Sequence, residues 1–392
     1  MSGYYDDLRR WTAEGKKIVL FCAGKHGVQI YKILQFCGIP VYAFSDMNPE
    51  KWNQNIVDQC RCLPPKDAAK LDDCLYFICI YMDRYREVLR EVHNYGIQNI
   101  GSLNALFDDL LSEHLNLFLS LMSFASESLD DSILFYHEKP NREAVRRTAE
   151  RRDEPSVWKE HVAVYTAIFG DYDVLHEPEY HSESVDYFLV SDICPPSCSA
   201  FTWIDAKSVV PANLKSPVLR NRYVKMHPHV LFQEYRHAVY MDGTITVKGD
   251  FRYFVSKPSK IGISPLSHPY ADCLFYEAFK QCQFHRVSVE DTGAQIEHYR
   301  REGMPIHYGL PEMRVFGVDL QNPVAIEILD AWWEEFQRWA LRDQFSFMYV
   351  LWDNNYSIQD ISVFPWFYKL KKYFQLNLHN QDSFMVKNIC LG

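Results

Sequence analysis

The sequence predicts two α/β domains joined by a helical stretch, and three observations carry that expectation. At 392 residues the chain exceeds the roughly 250–300 at which one hydrophobic core stops growing. In both halves, short apolar runs of strand length alternate with segments of helical periodicity. Between them, Lys139 to Glu154 is densely charged with both signs, which suits a solvated helix or linker better than a phosphate-binding patch. The boundaries read as 1–110, a linker over 111–157, and 158–392.

The first domain opens on the buried-strand run Ile18 to Cys22. The turn Ala23-Gly24-Lys25-His26-Gly27 leads into a helical pattern through Val28, Ile30, Tyr31, Ile33 and Leu34, which Gly38 ends. Pro40 to Phe44 is a second strand ending at Ser45-Asp46, Leu75 to Tyr81 a third, and Gly96 to Ile100 a short fourth after a helix from Arg84 to Tyr95. This alternation predicts a parallel, Rossmann-like sheet with right-handed crossovers. Gly24, His26 and Gly27 occupy the position of a phosphate turn, where glycines let backbone N–H groups approach a diphosphate. Asp46 falls 22 residues past Gly24, near where a ribose-binding acid belongs. With two glycines instead of three, the turn is an incomplete fingerprint. It serves equally well as a plain tight turn with Asp46 capping the next loop, and it argues against NAD without closing that option.

Composition narrows the function classes. A net charge of −10 speaks against a nucleic-acid partner, so any basic anion site must be local. Cys22, Cys74 and Cys79 lie in or beside apolar runs, and Cys60 with Cys62 lacks a second pair at finger spacing, so a reduced chain without structural zinc is expected. The opening residues MSGYYDDLRRW carry no apolar signal core, and Leu115 to Ala125 is far short of the roughly 20 residues of a membrane helix. No transmembrane segment is expected. The chain reads as cytoplasmic, with a membrane-peripheral location as the alternative. Leu106 to Ala125 should form one packed helix.

The second domain opens with the strand Val162 to Ala167. A second strand, Asp186 to Val190, ends at Ser191-Asp192, and a third, Ala238 to Met241, ends at Asp242-Gly243. A long amphipathic helix is expected over Val324 to Leu341, with Trp332 and Trp339 mostly core. Open α/β sheets bind ligands at the carboxyl ends of their strands, which singles out Asp192 and Asp242. Sugar transfer from a nucleotide diphosphate leaves charge on the departing group, so such a site needs a hard cation held by carboxylates, or basic side chains. Tyr240-Met241-Asp242-Gly243-Thr244 fits the acidic part. The basic part fits Arg220-Asn221-Arg222-Tyr223-Val224-Lys225-Met226-His227-Pro228-His229. Asp343, read as the end of the long helix, would oppose the helix macrodipole there, a local conflict that favours a functional role such as orienting or deprotonating an acceptor hydroxyl. The bland alternatives are that Asp242-Gly243 is a turn, that His268 is a loop residue and that Glu277 lies on a solvated helix face.

Taken in order, these segments resemble a glycosyltransferase-like family, a domain of unknown function found in plant Golgi proteins of pectin and mucilage synthesis and in bacterial polysaccharide loci. The resemblance covers about 160–375. It rests on Tyr165 to Asp173, Asp186 to Asp192, Arg222-Tyr223-x-Lys225-x-His227-Pro228-His229, Tyr240 to Gly243, His268-Pro269 with Tyr276-Glu277-Ala278, and Arg342-Asp343-Gln344-x-Ser346. It implies a GT-A-like nucleotide-sugar transferase domain, a nucleotide-sugar donor and a glycan or glycoconjugate acceptor. Asp242, Lys225 and Asp343 would be catalytic. Thr166, Phe169, Asp192, Arg222, His229 and Gly243 would lie on the donor side, and His268, Glu277 and Gln344 on the acceptor side. The usual Asp-x-Asp pair is here Asp242-Gly243-Thr244, so a Mn2+ or Mg2+ ion would rest on Asp242 with His379 as a distant ligand. Phe21 to Lys51 similarly resembles Rossmann-like accessory domains of polysaccharide-synthesis enzymes, implying a nucleotide site or an assembly role, in a homo-oligomer or a polysaccharide-synthesis complex. The broken acidic pair keeps a non-catalytic nucleotide-sugar-binding or scaffolding protein in view. Relatives assigned to lipid-amide hydrolysis raise a hydrolase as a further alternative, which no nucleophile elbow or HExxH motif supports.

Overall fold

The computed structural model describes residues 3–80, 82–129, 139–150, 160–170, 173–252, 254, 259–339 and 342–378. The chain divides into two compact units: Met1–Tyr136 with Phe275–Ile306, and His137–Leu274 with His307–Gly392. Both are mixed α/β with parallel strands. No helix among the described residues is long and apolar enough to cross a membrane.

In the first unit, helix α1 (Tyr4–Ala13) precedes β1 (Lys17–Phe21), α2 (Lys25–Phe36), β2 (Ala43–Ser45), the hairpin β3 (Asn55–Val57) and β4 (Cys60–Leu63), β5 (Cys74–Ile78) and α3 (Met82–Asn94). The sheet order is β3-β4-β2-β1-β5, parallel except for the β3–β4 hairpin. β1 is central and apolar because both of its faces are covered. α3 closes one face with Val88 and Val92, one helical turn apart, against Val19, Tyr76 and Ile78. The hairpin extends the sheet past β2 and places Cys60 and Cys62 inward, with Arg61 outward.

Two expectations are corrected here. Gly96 to Ile100 is not a strand: Ile100 makes a single bridge to Tyr76, because the chain leaves the sheet at Gly101, packed against the Phe77 ring. The helix expected over Leu106 to Ala125 is two helices, α4 (Leu103–Glu113) and α5 (Leu115–Ser128), broken where His114 turns to φ −130° and ψ 45°. Helices Leu274–Gln283 and Val289–Arg301 supply later parts of this unit, with Phe279 edge-on to Phe107 at 5.5 Å and Tyr276 bonded to Asp108.

The second unit begins with α6 (Lys139–Glu150), the helix within the charged stretch, and centres on a six-stranded sheet. Its strands are β6 (Val162–Ile168), β7 (Val185–Ser191), β8 (Thr202–Asp205), β9 (His237–Met241), β11 (Ile263–Ser267) and β12 (Pro311–Asp319). The spatial order is β11-β12-β9-β6-β7-β8. β6 to β9 are parallel, whereas β12 runs antiparallel to both β9 and β11. From β6 the chain builds outward through β7 and β8, then returns to place β9 on the other side of β6. That reversal is a topological switch point, and open α/β sheets bind ligands outside the carboxyl ends of the strands there, here β6 and β9. A small ribbon, β10 (Ile245–Val247) with β13 (Phe374–Leu376), packs into the same core through Ile245, Val247 and Phe374. Helix α7 (Pro217–Met226) lies by β6, while α8 (Pro323–Phe336) and α9 (Asp343–Asp353) pack on each other. The long helix thus ends at Phe336, not near Leu341, and Asp343 opens a new helix.

The glycines of the first turn have different jobs. A Cβ on Gly27 would lie 2.2 Å from the Cys22 carbonyl oxygen, so α2 can approach β1 this closely only with glycine there. A Cβ on Gly24 would meet nothing within 4 Å. Gly27→Ala is therefore expected to destabilise the first unit by about 1–3 kcal/mol, as overpacking does, and Gly24→Ala to change it little. Urea denaturation followed by a probe in that unit checks both.

Candidate active site

Helix α7 organises the carboxyl ends of the second unit's parallel strands. Pro217 starts it at a position that needs no N–H donor. Three consecutive side chains and one a turn later then reach the ends of β6, β7 and β9 and the start of α9. Arg220 makes a two-pronged ion pair with Asp192, at 2.7 and 2.6 Å, just past β7, and its guanidinium lies 4.5 Å from the Phe169 ring centre. Asn221 donates to the Ala167 carbonyl of β6 at 2.7 Å. Arg222 approaches Asp343 Oδ2 at 3.3 Å. Lys225, one turn on from Asn221, reaches under the sheet end.

The Lys225 side chain is 2% exposed. Its Nζ donates to Asp343 Oδ2 at 2.6 Å and lies 3.8 Å from Asp242 Oδ1, with the Tyr240 ring centre at 4.7 Å. The backbone beneath it is tied to β6 by the Tyr165 hydroxyl, which donates to the Lys225 carbonyl at 2.9 Å. Burial alone would raise the Asp343 carboxyl, but the charges of Arg222 and Lys225 outweigh it and hold that carboxyl well below the usual range. Burial likewise pulls the Lys225 ammonium down, against the opposing pull of Asp343 and Asp242.

Asp343 sits where its charge is welcome. It is the first residue of α9, and an acid in the first turn complements the helix dipole. The conflict read from sequence came from assigning Asp343 to the end of the preceding helix, and it disappears with the helix break. Trp332 of α8 donates to the Asp343 carbonyl at 2.7 Å, which locks the two helices at this point.

Asp242 differs from its neighbours in access: its side chain is 34% exposed, against 8% for Asp343. Its amide donates to the Arg314 carbonyl of β12, and its carbonyl accepts from Ile245 in the turn to β10. A Cβ on Gly243 would come within 3.2 Å of Ile168 and of Asp173, so glycine lets the ends of β9 and β6 close together. Thr166, buried in β6, has a hydroxyl with no hydrogen-bond partner. Thr244, at the place of a second acid, is buried, and its carbonyl accepts from Asn377.

Two residues that the motifs did not include stand beside Asp242. Glu312 and Arg314 alternate on one face of β12 and pair at 2.5 Å. Burial pushes the Glu312 carboxyl up; Arg314 opposes this and the Asp242 charge adds to it. Charges two residues apart in an otherwise apolar strand were the available signal.

The remaining candidates are distributed differently. Gln344 donates to the Pro311 carbonyl at 2.9 Å and so joins α9 to β12. His268 Nδ1 accepts from the Ala271 amide at 2.8 Å and closes a local turn. His229 pairs with Asp330 of α8 at 3.1 Å, near His227, which stacks on Tyr223. Glu277 belongs to the first unit, where it is buried and accepts from Gln281 instead of lying on a solvated face. Gly24, His26, Gly27 and Asp46 are also in the first unit. His379 lies outside the described residues, among which no group of three or more His, Cys, Asp or Glu is placed to hold a metal ion.

No protein-family model matches the chain, and no curated protein matches it significantly. Among solved structures it is similar to the apo form of a WbbM bifunctional glycosyltransferase, at 13% identity and a TM-score of 0.35, over 54% of this chain and 40% of that one. It is also similar to the apo form of mouse xyloside xylosyltransferase 1, at 10% identity and a TM-score of 0.33, over 52% of this chain and 84% of that one. Likenesses of this extent leave the chemistry to be argued from the side chains.

Removing one partner of a buried ion pair strands the other. Lys225→Met and Asp343→Asn are each expected to cost about 3–5 kcal/mol in urea unfolding, and Lys225→Met with Asp343→Leu to recover much of it. Because the Asp343 carboxyl is held low, its contribution is present above the unfolded value of about 3.9 and is lost as pH falls further. The stability gap between wild type and Asp343→Asn should therefore hold steady from pH 7 to about 5 and shrink below about 4.

Proposed function

We propose that the second unit transfers a glycosyl group from a nucleotide-diphosphate sugar to a glycan or glycoconjugate acceptor. The observation that supports this best is the solvent-reachable Asp242 at the switch point, backed by the buried Lys225–Asp343 pair and flanked by Arg222. A sheet end with one reachable acid and fixed cations suits a ligand whose diphosphate gains charge as its bond to the sugar breaks.

In this reading Arg222, about one-quarter exposed, meets the diphosphate directly. Lys225 is too buried to do so and instead fixes the position of Asp242. Asp343 orients Lys225 and Arg222; its low carboxyl makes it a poor proton acceptor near neutral pH, where a base works best with a value near the working pH. Glu312, paired with Arg314 and pushed up by burial, is the other carboxyl beside Asp242. Asp192, held by Arg220 next to Phe169, borders the place for the nucleoside. A divalent Mn2+ or Mg2+ would be held by Asp242 together with phosphate oxygens and waters, as these ions commonly are, and would add charge neutralisation at the leaving group.

A second reading, a nucleotide-sugar-binding protein without turnover, is favoured by Thr244 in place of a second acid. The two separate experimentally. Thermal-shift measurements with UDP-, GDP-, CDP- and TDP-sugars, with and without manganese, should show stabilisation by at least one donor. That donor should turn over, and Asp242→Asn should lower turnover by about a hundredfold or more. Binding without turnover would select the second reading, and no stabilisation by any donor would sink both.

A further inference from the structure

The first unit contains a cavity of about 690 Å³ lined by Ala23, Gly24, Lys25, Val28, Gln29, Lys51, Asn55 and Ile56. It opens over the start of α2, whose first amides have no acceptor within the helix. Lys25, Val28 and Gln29 share one helix face, since residues three and four apart are neighbours. Lys25 and Lys51 bring two ammonium groups to this mouth, and Gly24 leaves open space above the turn. At its base, Gln29 is 4% exposed, and its Oε1 has no hydrogen-bond partner. A buried amide oxygen left unpaired is costly, so a donor arriving from the cavity would be stabilised there. Val28 and Ile56 provide apolar wall.

Asp46 decides which ligand fits. Its carboxylate accepts from the Ala23 amide at 2.8 Å, the Asn48 amide at 2.9 Å and Lys51 Nζ at 2.8 Å. Those three bonds fill most of the about four acceptor positions a carboxylate has. Burial would raise this carboxyl, yet the bonds from Lys51, Asn48 and Ala23 prevail and hold it low. Asp46 therefore clamps the turn from β1 into α2 to the loop after β2, with Cys22 held at φ 84°, and is not left to take the paired hydroxyls of a dinucleotide ribose.

We propose that this cavity is a binding site for a phosphate monoester whose body carries a hydroxyl or N–H donor, the phosphate lying against the α2 amides, Lys25 and Lys51, and the donor meeting Gln29 Oε1. Sugar phosphates and nucleoside monophosphates share this chemistry. The site lies wholly within the first unit and does not depend on the transferase reading of the second.

Isothermal titration calorimetry of the full chain with inorganic phosphate, a hexose 1-phosphate, a nucleoside 5′-monophosphate and NAD tests it. At least one monoester should bind about tenfold or more tighter than inorganic phosphate, and tighter than NAD; which monoester wins identifies the source. Lys25→Glu, at an exposed position, should weaken binding at least about tenfold, and Gln29→Leu should bring the monoester down to the level of phosphate. Gly24→Leu, which meets no neighbour at its Cβ, should block the cavity with the circular dichroism spectrum unchanged. Asp242→Asn should leave the binding as it was, which separates this site from the one in the second unit. Absence of monoester binding, binding that survives both Lys25→Glu and Gly24→Leu, or loss on Asp242→Asn would overturn the proposal.

Discussion

A single buried ammonium group sets the terms for the second unit. Removing a lysine from water costs several kcal/mol even after relaxation, and only close, well-aligned partners offset that. Lys225 has them: Asp343 at 2.6 Å, Asp242 at 3.8 Å and the Tyr240 ring face at 4.7 Å. Asp343 comes from α9, and Tyr240 and Asp242 come from β9 and its carboxyl end, so the requirement to satisfy one charge fixes α7, β9 and α9 relative to one another. The Tyr165 hydroxyl and Asn221 add β6 to the same assembly.

The chemistry follows from what that arrangement leaves over. Asp343 spends its carboxylate on Lys225 and Arg222, whereas Asp242 keeps a third of its side chain open to solvent. One acid is structural in position and the other reachable, although both look alike in sequence. Glu312 adds a third carboxyl under different pressure, since burial raises it while the cations hold Asp343 low.

Much of this was legible before the fold was known. The parallel strands β1, β5, β6, β7 and β9 are apolar runs, because strands covered on both faces must be. The ends of β7 and β9 were readable too, and so was that of β2, which is why Asp192, Asp242 and Asp46 stood out. Local pattern failed where long-range packing decides. Asp343 was placed at the wrong end of a helix because nothing local marks the break after Phe336. The β3–β4 hairpin is too short and polar to register. The return of Phe275–Ile306 to the first unit is a matter of tertiary contact, and with it Glu277 belongs to a different unit from the motifs that surround it in sequence. Glu312 and Arg314 were hidden because β12 was not recognised as a strand. At the glycine turn, the sequence supplied the right residues without their division of labour: Gly27 permits close packing, Gly24 leaves a cavity open, and Asp46 holds the turn.

The proposed transfer requires that the carboxyl ends of β6 and β9 receive a nucleotide diphosphate beside Asp242. A crystal structure of the full chain soaked with UDP, GDP, CDP and TDP in turn tests it most directly. The nucleotide bound in the second unit is expected to place its diphosphate within hydrogen-bonding distance of Arg222 and next to the Asp242 carboxylate, with Lys225 still buried against Asp343. A nucleotide seated elsewhere on that unit, with Arg222 and Asp242 untouched, would contradict it.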